Sequence, residues 1–294
     1  MLDVSSEKLS RAVFHTLAYA DVFEYPLTAS EVYRYLTSTR ASFEEVIQAL
    51  GNESVFRRVG DYFTLHGREG IAETRKRRAI VAARLWPKGL RYGRIIAQLP
   101  FVRMVAITGS LAMSNAEAGN DIDYMIITVP NRLWTCRALA LFVARLAKIE
   151  GISLCPNYLV TTDALQLNER SLYVAHELAQ MIPLSGLEIY DELRRLNDWT
   201  DEYLPNAHGA PDWPDGARPL MRRSLFQSIS ELIFRLPFGD WLETWEMNRK
   251  IKRLAREQSS SLESCFTAHV CKGHIDRHGE NIGAALAVRL QKTV

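Results

Sequence analysis

VAITGSLAMSNAEAGNDIDYMIIT, residues 105–128, says more about this chain's architecture than any other segment. Two apolar runs flank a small-residue break and a short polar segment, so they read as buried strands on either side of a turn or short helix. Gly109 permits close backbone approach and a dihedral that other residues avoid, as a strand-to-helix turn requires. Ser110 places a hydroxyl beside the unpaired N–H groups of the next helix, whose N-terminus adds partial positive charge. That combination cradles phosphate oxygens without a lysine in the loop. Asp121 and Asp123 stand two apart on the second strand, so both side chains face one way while Ile122 faces the core. Two converging carboxylates repel unless a divalent cation lies between them, and hard oxygen ligands suit Mg²⁺ or Mn²⁺ bound together with substrate phosphates. Metal-assisted phosphoryl or nucleotidyl transfer is the matching chemistry.

The pattern on the C-terminal side continues the alternation. Strands over Val102–Thr108, Ile122–Thr128 and 153–161 alternate with helices from Ser110, over 131–149 and over 169–182, which predicts an α+β core with a mixed sheet and flanking helices. Upstream, helical periodicity at 7–20 is followed by short helices from Pro26 to Leu36 and from Ser42 to Leu50, then by a hairpin over 55–65 with a Gly60-Asp61 turn. Helix, helix, helix, hairpin is the winged-helix order. Its third helix carries Glu44 and Glu45 and no Lys or Arg, a poor surface for DNA phosphates, so a packing or dimerisation role is the first expectation and DNA reading the second. From 189 onward the segments 189–197, 221–235, 239–257 and 279–292 read as helices. Three parts are expected: a winged-helix module at 1–70, the core at 71–190 and a C-terminal helical domain at 191–294 that closes the cleft.

Length and composition agree with such an assembly. The 294 residues suffice for two or three domains, and 47% hydrophobic with 24% charged residues is a globular balance. Net charge is only +2, so attraction to a polyanion must come from local patches. One such run, 75–103, holds nine Lys and Arg and no acid; a solvated helix face is its ordinary explanation, and a neighbouring phosphate site would make it functional. The basic end of the 239–257 helix, with Arg249, Lys250, Lys252, Arg253 and Arg256, is explained by the helix dipole. Four scattered cysteines and an N-terminus without an apolar stretch lead us to expect free thiols, no export and a cytoplasmic location. The apolar segment 132–151 is broken by Arg137, Arg145 and Lys148, so no membrane partner is expected.

Gly109-Ser110-x-Ala112 followed by Asn120-Asp121-Ile122-Asp123, between two apolar strands, resembles the signature of the DNA polymerase beta-like nucleotidyltransferase superfamily, and looks most like its small bacterial members. The match covers about a tenth of the chain. The resemblance implies the nucleotidyltransferase fold, an NTP substrate, Gly109, Ser110 and Asn120 at the nucleotide, and Asp121 and Asp123 as Mg²⁺ ligands that also activate an acceptor hydroxyl. The acceptor is a small molecule, a protein or RNA, with nucleic acid as a further partner. Two departures stand out: Met113 occupies a position where many minimal members carry arginine, and the third strand lacks the carboxylate usual there, Asp163 lying just past it. A catalytically inactive relative, serving as a nucleic-acid-binding or regulatory module, is the alternative.

Two other groups bear on the site. Tyr173, His176, Glu177 and Gln180 share one face of the 169–182 helix; solvent exposure is the expectation, and facing the metal site would equip His176 for proton transfer. Cys265, Cys271, His274 and His278 have spacings only loosely like a zinc site, so a polar surface is expected, with Lys272 placed to reach a triphosphate from the C-terminal part.

Overall fold

The computed structural model describes residues 4–52, 55–214, 224–257, 265–273 and 278–291. It is an α+β protein. At the N-terminus come α1 (Val4–Val22), β1 (Leu27–Thr28), α2 (Ala29–Arg34), α3 (Phe43–Leu50), β2 (Phe56–Val59) and β3 (Tyr62–Leu65). The expected order of three helices and a hairpin is present, with the two-residue β1 completing a small sheet of order β1-β3-β2. Capping boxes start α2 at Thr28/Glu31 and α3 at Ser42/Glu45, each satisfying backbone donors that the helix leaves unpaired.

The long α4 (Ile71–Ala97) leads into β4 (Val102–Thr108), the single-turn α5 (Gly109–Ala112), β5 (Ile122–Thr128), α6 (Leu133–Ile149), β6 (Leu154–Thr161), α7 (Leu172–Gln180) and β7 (Ile182–Ser185). Then follow α8 (Leu187–Leu196), α9 (Thr200–Tyr203), α10 (Leu225–Phe234), α11 (Pro237–Glu257), β8 (Cys265–Phe266), β9 (Val270–Lys272) and α12 (His278–Gln291). The central sheet has the order β7-β4-β5-β6-β9-β8; β5 and β6 run parallel and the other neighbours antiparallel.

Both faces of this sheet are buried, which is why β4 and β5 read as continuous apolar runs. Val105, Ile107, Tyr124 and Ile126 pack under α4 and α6, whereas Met104, Ala106, Met125 and Ile127 pack under α7 and α8. Asp123 shares its face with Met125 and Ile127, the face that α7 covers. The helix expected to run to 182 stops at Gln180, because Pro183 disfavours helical backbone at Ile182, and that segment becomes β7.

Residues 191–294 are not wholly helical. Residues 265–272 pair as strands with β6 and extend the central sheet, α10 and α11 pack against the core, and α12 packs on α1. Non-local strand pairing of this kind leaves no mark on local periodicity. Among the described residues, no helix is long and apolar enough to cross a membrane.

Five of the nine cations in the basic run are in ion pairs, Lys76 with Glu73 among them, and Arg77, Arg84, Lys88 and Arg94 stand exposed. Arg75 donates to both oxygens of Glu31 (2.6 and 2.8 Å) and lies between the rings of Tyr25 and Tyr62, with its guanidinium carbon 4.1 and 4.5 Å from their centres. Arg78 pairs with Glu24 and Glu117, Arg91 with Glu150 and Arg103 with Glu231. The first two fasten the N-terminal module to α4 and to the loop before β5. Removing one partner of a mostly buried, bidentate pair leaves the other uncompensated. Arg75→Ala should therefore cost about 3 kcal/mol in a urea titration, whereas Arg91→Ala, whose pair is exposed, should cost less than about 1 kcal/mol.

Candidate functional site

Gly109 ends β4 with a φ of +64°. A Cβ at this position would stand 2.6 Å from Asp123 Oδ2, so the carboxylate fills the space a side chain would take. The antiparallel register, Thr108 opposite Asp123, creates this approach. Asn120 closes the loop from the other side, donating from Nδ2 to Ser110 Oγ at 3.3 Å.

The parallel neighbour completes the surroundings of Asp123. The register between β5 and β6 slips by one residue between Asp123 and Met125, and the irregularity accompanies an approach of Asn157, whose Nδ2 donates to Asp123 Oδ1 at 3.2 Å. The β6 side chain that reaches Asp123 is thus an amide and not a carboxylate. Asp163 is tied instead to Thr161 and His269. Burial and the charge of Asp121 push the Asp123 carboxyl up to about 7, and burial with the two aspartate charges pushes the Cys155 thiol up to about 12.

A cleft of 370 Å³ opens beside this contact. Gly109, Ser110, Asn120 and Asp123 lie on it, as do all four residues of the α7 face, Tyr173, His176, Glu177 and Gln180. The opposite wall comes from the N-terminal module, with Tyr19, Phe23, Tyr25 and Tyr35. The expected solvent exposure of the α7 face does not hold for His176, which is 3% exposed because α1 covers it: its ring stacks on Tyr19 at 3.9 Å. His176 Nδ1 is paired with the Leu172 carbonyl at 2.9 Å, and burial lowers its pKa to about 4, so it is neutral at physiological pH. Glu177 is raised to about 7 by burial and by Asp123.

A second cavity of 270 Å³ shares Asn157, Tyr173 and Glu177 with the first. Lys272 lines this second cavity and is paired with Glu169. It does not line the cleft beside Gly109 and Asp123, but its charge reaches Glu177, which lines both. Asp121 is exposed, one residue before β5, close enough for its charge to act on Asp123. Among the described residues, no cluster of three or more His, Cys, Asp or Glu could enclose a metal ion. Of the Cys/His group near the C-terminus, Cys265 and Cys271 are free thiols on paired strands; His274 and the side chain of His278 lie outside the described residues.

No family model matches the chain, and no curated protein or solved structure matches it.

Met113, the residue standing in place of arginine, lies on the seam between module and core. It packs against both, and its carbonyl accepts the Tyr25 hydroxyl at 2.7 Å. Sequence reasoning missed the aromatic wall and Asn157. Tyr19 and Phe23 stand four apart on α1, a spacing that shows a shared face, but nothing local says what that face meets.

Because the folded state raises the Asp123 carboxyl, between about pH 4 and 7 the folded chain keeps a proton that the unfolded chain has released. Stability therefore falls as pH rises through that window and levels off above it. In EDTA, Asp123→Asn should melt about 2–5 °C above wild type at pH 8 and no higher at pH 4, as read by thermal unfolding. Gly109→Ala should destabilise at every pH by about 1–3 kcal/mol, since it forces both a strained backbone and displacement of a carboxylate.

Proposed function

We propose that the protein is a Mg²⁺-dependent nucleotidyltransferase that moves a nucleoside monophosphate from an NTP to an acceptor hydroxyl. The observation that carries this reading is the Gly109–Asp123 contact at the edge of a cleft large enough for a small ligand. Asp121 and Asp123 provide hard carboxylate oxygens within mutual electrostatic reach, a donor set that fits a divalent cation whose remaining ligands are phosphate and water oxygens. The cleft is lined by Asp123 and Glu177 and, among the described residues, by no Lys or Arg, so a triphosphate enters only with a cation that offsets its charge.

When bound, Mg²⁺ would neutralise phosphate charge and act as a Lewis acid at the α-phosphate. The residues of the chain would do the rest. Asn120 fixes the Ser110 hydroxyl, which would meet a phosphate oxygen beside the Gly109–Asp123 contact. Asp123 accepts the proton of the acceptor hydroxyl as that oxygen bonds to the α-phosphorus. The α–β bridging bond breaks and pyrophosphate leaves. The half-buried ring of Phe23, at the edge of the aromatic wall, would offer an apolar contact to a nucleobase.

Asn157 favours a second reading, in which a core lacking the third carboxylate binds a nucleotide without turnover and serves a regulatory role. Incubation with each α-labelled NTP, Mg²⁺ and pools of hydroxyl-bearing acceptors separates the two. Transfer is expected with wild type, and Asp123→Asn should reduce it at least 10²-fold. Nucleotide binding that depends on Mg²⁺, with no transfer to any acceptor, supports the second reading. Absence of nucleotide binding at millimolar Mg²⁺ overturns both.

A further inference from the structure

Helices α10 and α11 are built inside out. Their polar residues face the body of the protein: Gln227, Glu231, Glu243 and Glu246 are between 2 and 6% exposed. Gln227 Nε2 donates to the carbonyls of Leu99 (2.9 Å) and Val102 (3.0 Å). Glu231 accepts from the Phe101 N–H (2.9 Å) and from Arg103 Nη1 (2.8 Å). Glu243 accepts from the Trp134 and Thr135 N–H groups (2.9 and 2.7 Å), two of the donors that the N-terminus of α6 leaves unpaired. Phe234, Met247 and Ile251 pack against the core, but most of the large apolar residues point away. Leu225, Ile229, Leu232, Ile233 and Leu236 are 57–83% exposed, and Phe238, Trp241 and Trp245 47–60%, with the three rings stacked in series at 5.8 and 6.0 Å.

From this inversion we infer that the outer face of α10 and α11 is the interface between two copies of the chain. A surface helix ordinarily buries its apolar stripe and leaves its carboxylates in water. Here carboxylates and an amide cap backbone groups of the core beside the apolar contacts of Phe234, Met247 and Ile251, and eight further large apolar residues are left for a partner. The eight side chains leave on the order of 800–1,000 Å² open, more than the ~300–600 Å² of the largest patch on a typical monomer and equal to the ~800 Å² that each partner gives to a stable interface.

Area favours a second copy. Two identical patches facing each other across a two-fold axis reach the ~1,600 Å² of a standard stable interface without any other partner. The charges at the edge of the patch are already matched within the chain, Asp240 with Arg132 and Arg249 with Glu246, so pairing two copies does not leave them without partners. The chain's own undescribed segments beside these helices, 215–223 and 258–264, contain only Leu220, Met221 and Leu262 as large apolar residues, too few to cover eight.

Light scattering after gel filtration at micromolar concentration tests this directly. Wild type is expected at twice the 33.5 kDa chain mass, and Leu232→Lys/Trp241→Lys at the single-chain mass with unchanged far-UV circular dichroism. Ile80→Lys, exposed elsewhere on α4, should stay dimeric. If the double variant fails to fold, the Tm of wild type decides: a rise with protein concentration supports the dimer, and a constant Tm overturns it. A single-chain mass for wild type, a dimeric double variant, or a monomer that sediments with anionic phosphatidylserine vesicles overturns the proposal as well.

Discussion

The carboxylate of Asp123 occupies the volume that a side chain at residue 109 would need, and the site follows from that one exclusion. It fixes glycine at the end of β4, turns the chain through a left-handed conformation into a single helical turn, and sets Ser110 beside Asn120. The same closeness limits the water that reaches Asp123. With Asp121 adding negative charge, its proton is held to about 7, a cost that the fold tolerates only because sheet and helix pack tightly around it. A carboxylate held in such surroundings responds to any neighbouring charge more strongly than one in water.

The N-terminal module is a wall of this site. Its aromatic residues Tyr19, Phe23, Tyr25 and Tyr35 face the cleft, and its attachment is electrostatic at the rim and apolar at the seam. Glu31 does two jobs: it completes the cap of α2 through the Thr28 N–H at 2.8 Å, and it receives Arg75 from α4. Asp21 on α1 pairs with Arg68 before α4 and with Arg289 on α12, so one buried carboxylate joins three segments far apart in sequence. Two of the nine cations in the basic run, Arg75 and Arg78, thereby hold module and core in register. The acidic α3 fits the same account, since a helix without cations has little to offer DNA.

What could be read in the sequence was whatever local order determines. The strand, Gly-Ser turn, Asp-x-Asp strand pattern lies within 24 residues, and each part has a physical reason visible in its residue types. The capping box at Ser42 and Glu45 is of the same kind. Asn157 was not legible, because its place beside Asp123 depends on a register slip between parallel strands. Neither was the burial of His176, which a stripe of polar residues on α7 predicts as solvated until α1 is laid across it. Strands β8 and β9 are two and three residues long, too short to show any period, and join the sheet only through β6. In each case the deciding partner lies 30 or more residues away.

The inverted helices show how far a polar contact can replace an apolar one at a docking surface. Glu231 holds α10 at Phe101 and Arg103, the beginning of β4, while Gly109 stands at the end of that strand. Eight residues of extended chain separate the two, roughly 25 Å. A partner on the outer face of α10 therefore approaches the opposite end of the strand from the one that bears the site, and leaves the cleft open. The two ends are nevertheless joined through packed elements: Glu243 caps α6, α6 packs behind β5 and β6, and those strands carry Asp123 and Asn157.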